Sequence, residues 1–366
     1  MKSVSIFGST GTIGRKAADI AFANGFEILA LSCHDNHKLI IEQAKKYCPK
    51  YVCVCNKDAF KIAKSELSYY NIEVLPGDEL CNITSLAVDC CIMAIAGNAG
   101  VLPTFSTIGR AKRLAIATKE AIISGGFLLM DLARQNGTEI IPIDSEHNAV
   151  FQCLLGEEND EINEIILTAS GGPFLDFDEN ELENITPEQA MAHPNWEMGK
   201  KISIDSATMI NKALEIVEAH YLFNITIEKI KYLLHPNSII HAIVGFTDGS
   251  FKTVMSSPNM TIPISFALNY PDRKPCVAQS LNFTEIGQLA FRKPKPWQKR
   301  NIELAYQAVE EKKVIAFNRA NEIAIANFLN RKIKFPEIYT KITKTLANSE
   351  SENIKSLQEV VEKCVE

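Results

Sequence analysis

The sequence is poor in several features that reveal a protein's setting. It has no basic excess: 38 Lys and Arg stand against 44 Asp and Glu, a net charge of −6. Nucleic-acid binders carry a basic face, so no nucleic-acid partner is expected. A small anionic ligand, which needs only a local set of donors, stays open. No apolar run approaches the roughly 18 residues of a membrane span. Met1-Lys2 leads directly into a strand pattern and not into a signal peptide, so no membrane partner is expected. The ten cysteines include no Cys-x-x-Cys pair. A chain of 366 residues needs no disulfide staples, so reduced thiols and a cytoplasmic location are expected. Internal repeats and low-complexity tracts are absent.

What is present is an ordinary globular composition, 46% hydrophobic and 22% charged, in a chain long enough for two or three domains. Runs rich in β-branched residues at 4–7, 26–32, 51–55, 88–96, 114–118 and 139–143 read as buried strands. Helical spacing between them, as at 39–46 and 57–65, implies right-handed βαβ crossovers and a parallel sheet. Residues 1–143 are therefore expected to form a Rossmann-like α/β domain. After Pro142 the rhythm changes. Strand runs at 162–169, 238–246 and 250–256 surround a polar stretch, 174–201, and a helix over about 207–222, which predicts an α+β domain over 144–268. Residues 269–296, with Pro271, Pro275, Pro294 and Pro296, read as a linker. Residues 297–366 read as a small helical domain.

Three patterns carry chemistry. First, the strand at 4–7 runs into Gly8-Ser9-Thr10-Gly11-Thr12-Ile13-Gly14 and then a helix. Glycines at such a turn let the backbone approach a pyrophosphate, which then sits on the positive end of the helix dipole. Asp35, 21 residues past Gly14, stands where a Rossmann acid meets the ribose.

Second, Pro142-Ile143-Asp144-Ser145-Glu146-His147 follows the last strand of the first domain. In extended geometry Asp144 and Glu146 would share one face. Two carboxylates pointing the same way repel unless a cation sits between them, and a hard divalent metal such as Mg²⁺ is the natural partner. Third, Thr168-Ala169-Ser170-Gly171-Gly172 is suited to wrapping an anion. Ser203-Ile204-Asp205-Ser206 leads into a helix bearing Asn211, Lys212 and Glu215. Ser206 is expected near an N-cap, making a phosphate site with Asn211 and Lys212. Glu215 is read as a third metal ligand or as half of a surface ion pair. Trp196, on the loop His193-Pro194-Asn195-Trp196, is either part of a lid or packed on a neighbouring domain.

These strings, with Ala96-Gly97, Lys119-Glu120, Met198-Gly199, His235-Pro236 and Ala320-Asn321-Glu322, occur in the order seen in one known family. End to end, the sequence resembles the 1-deoxy-D-xylulose 5-phosphate reductoisomerases. The resemblance implies an NADPH-dependent enzyme of the non-mevalonate isoprenoid pathway, homodimeric, using a divalent metal (Mg²⁺, Mn²⁺ or Co²⁺). It assigns Asp144, Glu146 and Glu215 to the metal, and Ser170, His193, Ser206, Asn211 and Lys212 to the substrate phosphate. Lys119 and Ser145 are assigned to the sugar backbone, and Trp196 to a mobile lid. The cofactor set it implies is Thr10, Gly11, Thr12, Ile13, His34, Asp35, Asn36, Thr118, Glu120 and Gly199. Three of these depart from the family pattern: Thr118 replaces a customary Asn, His34 replaces a Gly, and Asp35 replaces a small or basic residue.

Asp35 would repel a 2′-phosphate by roughly 1 kcal/mol at about 5 Å in water, while His34, His37 and Lys38 flank it with positive charge or donors. The expected outcome is a preference for NADPH, weaker than the family pattern suggests. The ratio of kcat/KM for NADPH and NADH measures it, and a preference for NADH would place Asp35 against the ribose hydroxyl.

Overall fold

The computed structural model describes residues 2–192 and 199–365. The first half is a doubly wound α/β layer. Strands β1 (Ser3–Phe7), β2 (Glu27–Cys33), β3 (Tyr51–Val54), β4 (Glu73–Pro76), β5 (Val88–Met93), β6 (Ala111–Ile116) and β7 (Glu139–Pro142) form one sheet in the order β4-β3-β2-β1-β5-β6-β7. All its pairings are parallel. Val4, Ile6 and Phe7 are buried on both faces, which is why β1 reads as a continuous apolar run. The crossover helices are α1 (Thr12–Ala23), α2 (His37–Tyr47), α3 (Lys57–Glu66), α4 (Leu80–Thr84), α5 (Val101–Ser106) and α6 (Lys119–Gln135).

The chain winds outward from β1 through β4, then returns to lay β5 on the other side of β1. That reversal is a switch point, where a crevice opens beyond the strand ends. Gly8, just after β1, has φ +81°, and a Cβ there would overlap the Ala94 carbonyl that follows β5. A Cβ on Gly14, in the first turn of α1, would overlap the Gly8 carbonyl. The two strand ends therefore close around a turn that only glycine fits.

Helix α7 (Ser145–Cys153) leads into a second, mixed sheet of β8 (Ile162–Ala169), β9 (Ile230–Leu234), β10 (Ile240–Phe246) and β11 (Phe251–Met255), ordered β11-β10-β8-β9. Between β8 and β9 lie α8 (Pro187–Met191), α9 (Lys200–Ala207) and α10 (Ile210–Phe223). The predicted strands omit β4 and β9. Both are edge strands, where fewer side chains are buried and the apolar signal is weak. Helix α11 (Thr261–Asn269) folds back onto α1, so Ile264, Ala267 and Leu268 join the core of the first sheet.

Residues 270–295 cross the surface with one short helix, α12 (Phe283–Ile286), and Arg292 pairs with Leu234 along the edge of β9. Helices α13 (Pro296–Glu310), α14 (Val314–Leu329) and α15 (Glu337–Asn348) follow. Trp297, Phe317 and Phe328 merge with the core beneath the second sheet. The last helix, α16 (Leu357–Val365), packs against α5 and α6 of the first layer. All ten cysteines are free thiols.

The glycine turn yields a direct test. Gly14→Ala forces α1 away from Gly8, at a cost of about 1–3 kcal/mol by overpacking. The expected result is a lowered melting temperature and a loss of dinucleotide affinity larger than the loss of substrate affinity. Unchanged NADPH affinity in a titration would show that the turn does not face the cofactor.

Candidate active site

Three strand ends of the first sheet deliver residues to one cleft. After β1 come Thr12 and Ile13, after β6 come Ala117 and Lys119, and after β7 come Ile143, Asp144, Ser145 and Glu146. The opposite wall is Thr168 and Ala169 at the end of β8 with Ser170 and Gly171 just after it, Gly199, Ile202 and Ser206 of the α9 segment, and Met209, Asn211, Lys212 and Glu215 of the α10 segment. Ser238, His241 and Met260 complete it.

The local geometry departs from the sequence reading at two points. Asp144 and Glu146 do not lie on an extended strand. The helix begins at Ser145, Asp144 is its N-cap, and its side chain accepts from the Ser145 N–H. An aspartate before a helix satisfies an orphan amide donor, so the chain turns helical there and Glu146 joins from the first turn. Ser206 is not an N-cap either. It lies in the last turn of α9, and Met209, with φ +65°, separates that helix from α10. The helix expected over about 207–222 is α10, starting at Ile210, and it is preceded by a second helix, α9, that meets it at a sharp corner. Gly172 packs there so closely that a Cβ would lie 2.7 Å from the Ser206 carbonyl oxygen, which brings the Ser170 turn beside Ser206.

The acidic centre is built from three elements. Asp144, Glu146 and Glu215 offer carboxylate oxygens that all lie within 4.8 Å of one another. Lys119 contacts Asp144 directly and lies 3.4 Å from Glu215. Lys212 lies 2.9 Å from Glu146 and contacts Glu215, which also accepts from Asn211. Ser145 donates its hydroxyl to Glu146 at 2.6 Å. Burial alone would raise every one of these carboxyls. For Asp144 the ammonium of Lys119 and the ring of His147 outweigh burial and hold it below the usual range. For Glu146, Lys212 does the same. Glu215 is different: burial and the neighbouring Glu146 push it up to about 7. An excess of negative charge at this spacing suits a divalent cation with oxygen ligands.

Two groups here were not singled out from the sequence. Glu218, one turn beyond Glu215, is buried and lies 3.3 Å from Lys119. His147 is buried one turn beyond Asp144, with Nδ1 3.3 Å from Asp144. Its Nε2 pairs with the Glu215 carbonyl at 2.9 Å and must therefore donate. Burial works to lower the His147 pKa, but Glu218 and Asp144 raise it to about 9. The i, i+3 spacing from Glu215 and from Asp144 was the available signal.

Of the cofactor candidates, Gly11 is the N-cap of α1 and makes no side-chain cap, so the helix N-terminus is open beside Thr10, Thr12 and Ile13. Gly199 lines the cleft opposite Thr12 and Ile13. His34, Asp35 and Asn36 are exposed at the end of β2, and the Asn36 side chain caps α2 through the Leu39 N–H. Thr118 is buried and spends its hydroxyl on the Ile95 carbonyl at 2.7 Å, so it stands as a structural tie where an amide was customary. Glu120 is also buried, held by Lys201 at 3.1 Å. His193 and Trp196 lie outside the described residues.

A glycine turn at a sheet's switch point, facing an acidic centre with two lysines, defines a nucleotide-dependent α/β enzyme with a metal-binding cleft. Three family profiles match the chain: "1-deoxy-D-xylulose 5-phosphate reductoisomerase" over residues 4–126, its C-terminal domain over 140–223, and "DXP reductoisomerase C-terminal domain" over 255–364. The 1-deoxy-D-xylulose 5-phosphate reductoisomerase of Clostridium novyi is 42% identical over 369 residues, covering 99% of this chain and 96% of the relative. That of Wolbachia is 42% identical over 371 residues, covering 99% and 94%. Among solved structures, the Zymomonas mobilis enzyme in complex with NADPH superposes with a TM-score of 0.93 at 36% identity, covering 100% of this chain and 96% of that one. A DOX-P reductoisomerase in complex with NADPH, fosmidomycin and magnesium gives 0.93 at 34%, with the same coverage. The chain belongs to the 1-deoxy-D-xylulose 5-phosphate reductoisomerase family.

The acidic centre predicts a specific mutant. Glu215→Gln is expected to fold, since it removes a carboxylate from a crowded negative site, and to lose about 10²–10³ in rate, or 3–4 kcal/mol. The rise in melting temperature on adding magnesium should shrink with it, because only a metal bound by the folded state stabilises it. Wild-type turnover, or an undiminished metal-induced shift, would remove Glu215 from the metal site.

Proposed function

We propose that this protein catalyses the metal-dependent rearrangement of 1-deoxy-D-xylulose 5-phosphate and its reduction by NADPH to 2-C-methyl-D-erythritol 4-phosphate, a step of non-mevalonate isoprenoid precursor biosynthesis. The observation that carries this reading is the convergence of Asp144, Glu146 and Glu215 with Lys119 and Lys212 in one cleft, in a chain 42% identical to a named reductoisomerase across 99% of its length.

A divalent metal held by Asp144, Glu146 and Glu215 supplies Lewis-acid polarisation of the substrate's carbonyl and hydroxyl oxygens. The chain's own groups do the remainder. Lys119, with Ser145 nearby, donates to the sugar oxygens, and its nearby carboxylates keep it charged: burial opposes this, but Asp144, Glu218 and Glu215 raise its pKa well above the ordinary value. Ser170, Ser206, Asn211 and Lys212 take the phosphate, joined by His193. The phosphate does not react, so its binding energy holds the substrate in place and excludes water. Trp196 belongs to the lid of this reading. The open N-terminus of α1 takes the pyrophosphate of NADPH, with Thr10, Gly11, Thr12 and Ile13 on one side and Gly199 on the other. His34, Asp35 and Asn36 receive the adenosine ribose. Residues 1–143, 144–268 and 297–366 serve as cofactor, catalytic and supporting helical domains, with 269–296 as the linker.

A homodimer in the cytoplasm completes the reading. Strand β11 is an edge of the second sheet, with Phe251 exposed on it, and an unpaired edge is a template for a second copy of the same chain. Ten free thiols suit a reducing compartment. Among the described residues no helix is long and apolar enough to cross a membrane.

The direct test is loss of NADPH absorbance with 1-deoxy-D-xylulose 5-phosphate, with and without Mg²⁺. Oxidation that needs both substrate and metal is expected, and none under these conditions would refute the activity. For the phosphate, Lys212→Ala removes a charge-assisted contact worth roughly 1.5–3 kcal/mol. Substrate affinity should fall about tenfold or more while NADPH affinity stays level. Equal losses of both would make Lys212 a structural residue.

A further inference from the structure

No described residue beyond Met260 lines the cleft, yet the C-terminal helices reach the corner that carries its phosphate-binding groups. Helix α9 has two functional faces. Gly199, Ile202 and Ser206 border the cleft, while Lys201 and Asp205 turn away from it and pair at 3.3 Å. Lys201 also holds Glu120 of α6, the neighbour of Lys119. On that far side, Asn321 of α14 donates its amide to Asp205 at 2.6 Å, and both residues are buried. Three residues beyond Asp205, at the end of α9, Asn301 of α13 donates its amide to the Thr208 carbonyl at 2.9 Å.

Thr208 immediately precedes Met209, the buried residue with φ +65° that turns the chain from α9 into α10. Non-glycine residues enter that region reluctantly and stay there when their surroundings hold them. Ser206 lies just before this turn, and Asn211 and Lys212 just after it. The angle between the two helices therefore sets whether the three groups converge on one anion. A side-chain amide on a main-chain carbonyl at the corner, and another on the back of α9, reach that corner from outside the cleft.

We propose that the C-terminal helices act on the reaction through Asn301 and Asn321, two positioning residues that hold the α9–α10 corner so that Ser206, Asn211 and Lys212 meet the substrate phosphate. The proposal rests on the reading of those three groups as the phosphate site. It assigns the helical domain a role in substrate affinity, beyond completing the core.

The test uses the full chain with Mg²⁺ present, in Asn301→Ala, Asn321→Ala, the milder Asn321→Ser, and Lys212→Ala as a control. Four quantities are measured: KM for 1-deoxy-D-xylulose 5-phosphate, the inhibition constant of inorganic phosphate, the NADPH dissociation constant, and melting temperature. Each alanine variant is expected to raise KM and the phosphate inhibition constant together by about tenfold, with kcat within about threefold and NADPH affinity within about twofold, the pattern of lost substrate binding. Asn321→Ser should shift both in the same direction by less. A merely structural role would lower the melting temperature and the active fraction while leaving KM and phosphate inhibition unmoved, and that outcome overturns the proposal. If an alanine variant fails to fold, an unchanged phosphate inhibition constant in folded Asn321→Ser overturns it equally. If Lys212→Ala itself leaves phosphate inhibition unchanged, the phosphate site has been misassigned, a failure separate from that of the asparagines.

Discussion

Burying four carboxylates within reach of two lysines is the constraint around which the molecule is arranged. Asp144, Glu146, Glu215 and Glu218 come from two helices, and Lys119 and Lys212 come from two. With every group charged, four carboxylates face two ammonium groups and the imidazolium of His147, an excess of one negative charge. Low-dielectric surroundings make such an excess costly, and the structure responds by pushing Glu215 and Glu218 toward their neutral forms. A metal that supplies the missing charge would allow all four to ionise. Such a cluster is a poor arrangement without a cation, which is the physical reason for reading it as a candidate metal site.

The parallel order of the first sheet supplies one side of that cluster. Its strands run parallel, so all their carboxyl ends open on one edge. The glycine turn after β1, Lys119 after β6 and Asp144 after β7 therefore face a common space without any long loop. The glycine turn and the acidic centre are neighbours because a doubly wound sheet places such loops on that edge. The opposite wall has to be brought there by α9 and α10, which pack against α6 of the first layer and α8 as well as against α13 and α14 of the C-terminal part. On the sheet side, the Thr118 hydroxyl joins the end of β6 to the end of β5 through Ile95.

Much of this was readable from local pattern. Buried parallel strands are apolar on both faces, so β1, β2 and β5 stand out, and a glycine turn must follow a strand and precede a helix to be a nucleotide loop. Asn211, Lys212 and Glu215 sit at helical spacing, so their meeting on one helix follows from 3.6 residues per turn. The reading failed where neighbours override local preference. Asp144 and Glu146 looked extended because they follow a strand, but an aspartate that can cap a helix starts one. Ser206 looked like a helix start because the strained residue that makes the corner is a methionine, which carries no turn signature.

By itself the sequence determined the alternation of strands and helices, the glycine turn, and the candidate acids and donors, because each depends on residues close in the chain. Only the tertiary structure decided which of them meet. Lys119 reaches Asp144, Glu215 and Glu218 across intervals of 25, 96 and 99 residues. Asn321 reaches Asp205 across 116. Contacts of that kind leave no periodic trace, since any polar residue on a buried helix face satisfies the pattern equally well. Their partners are chosen by the packing of whole helices, and with them the displacement of Glu215 from an ordinary surface acid to a buried one.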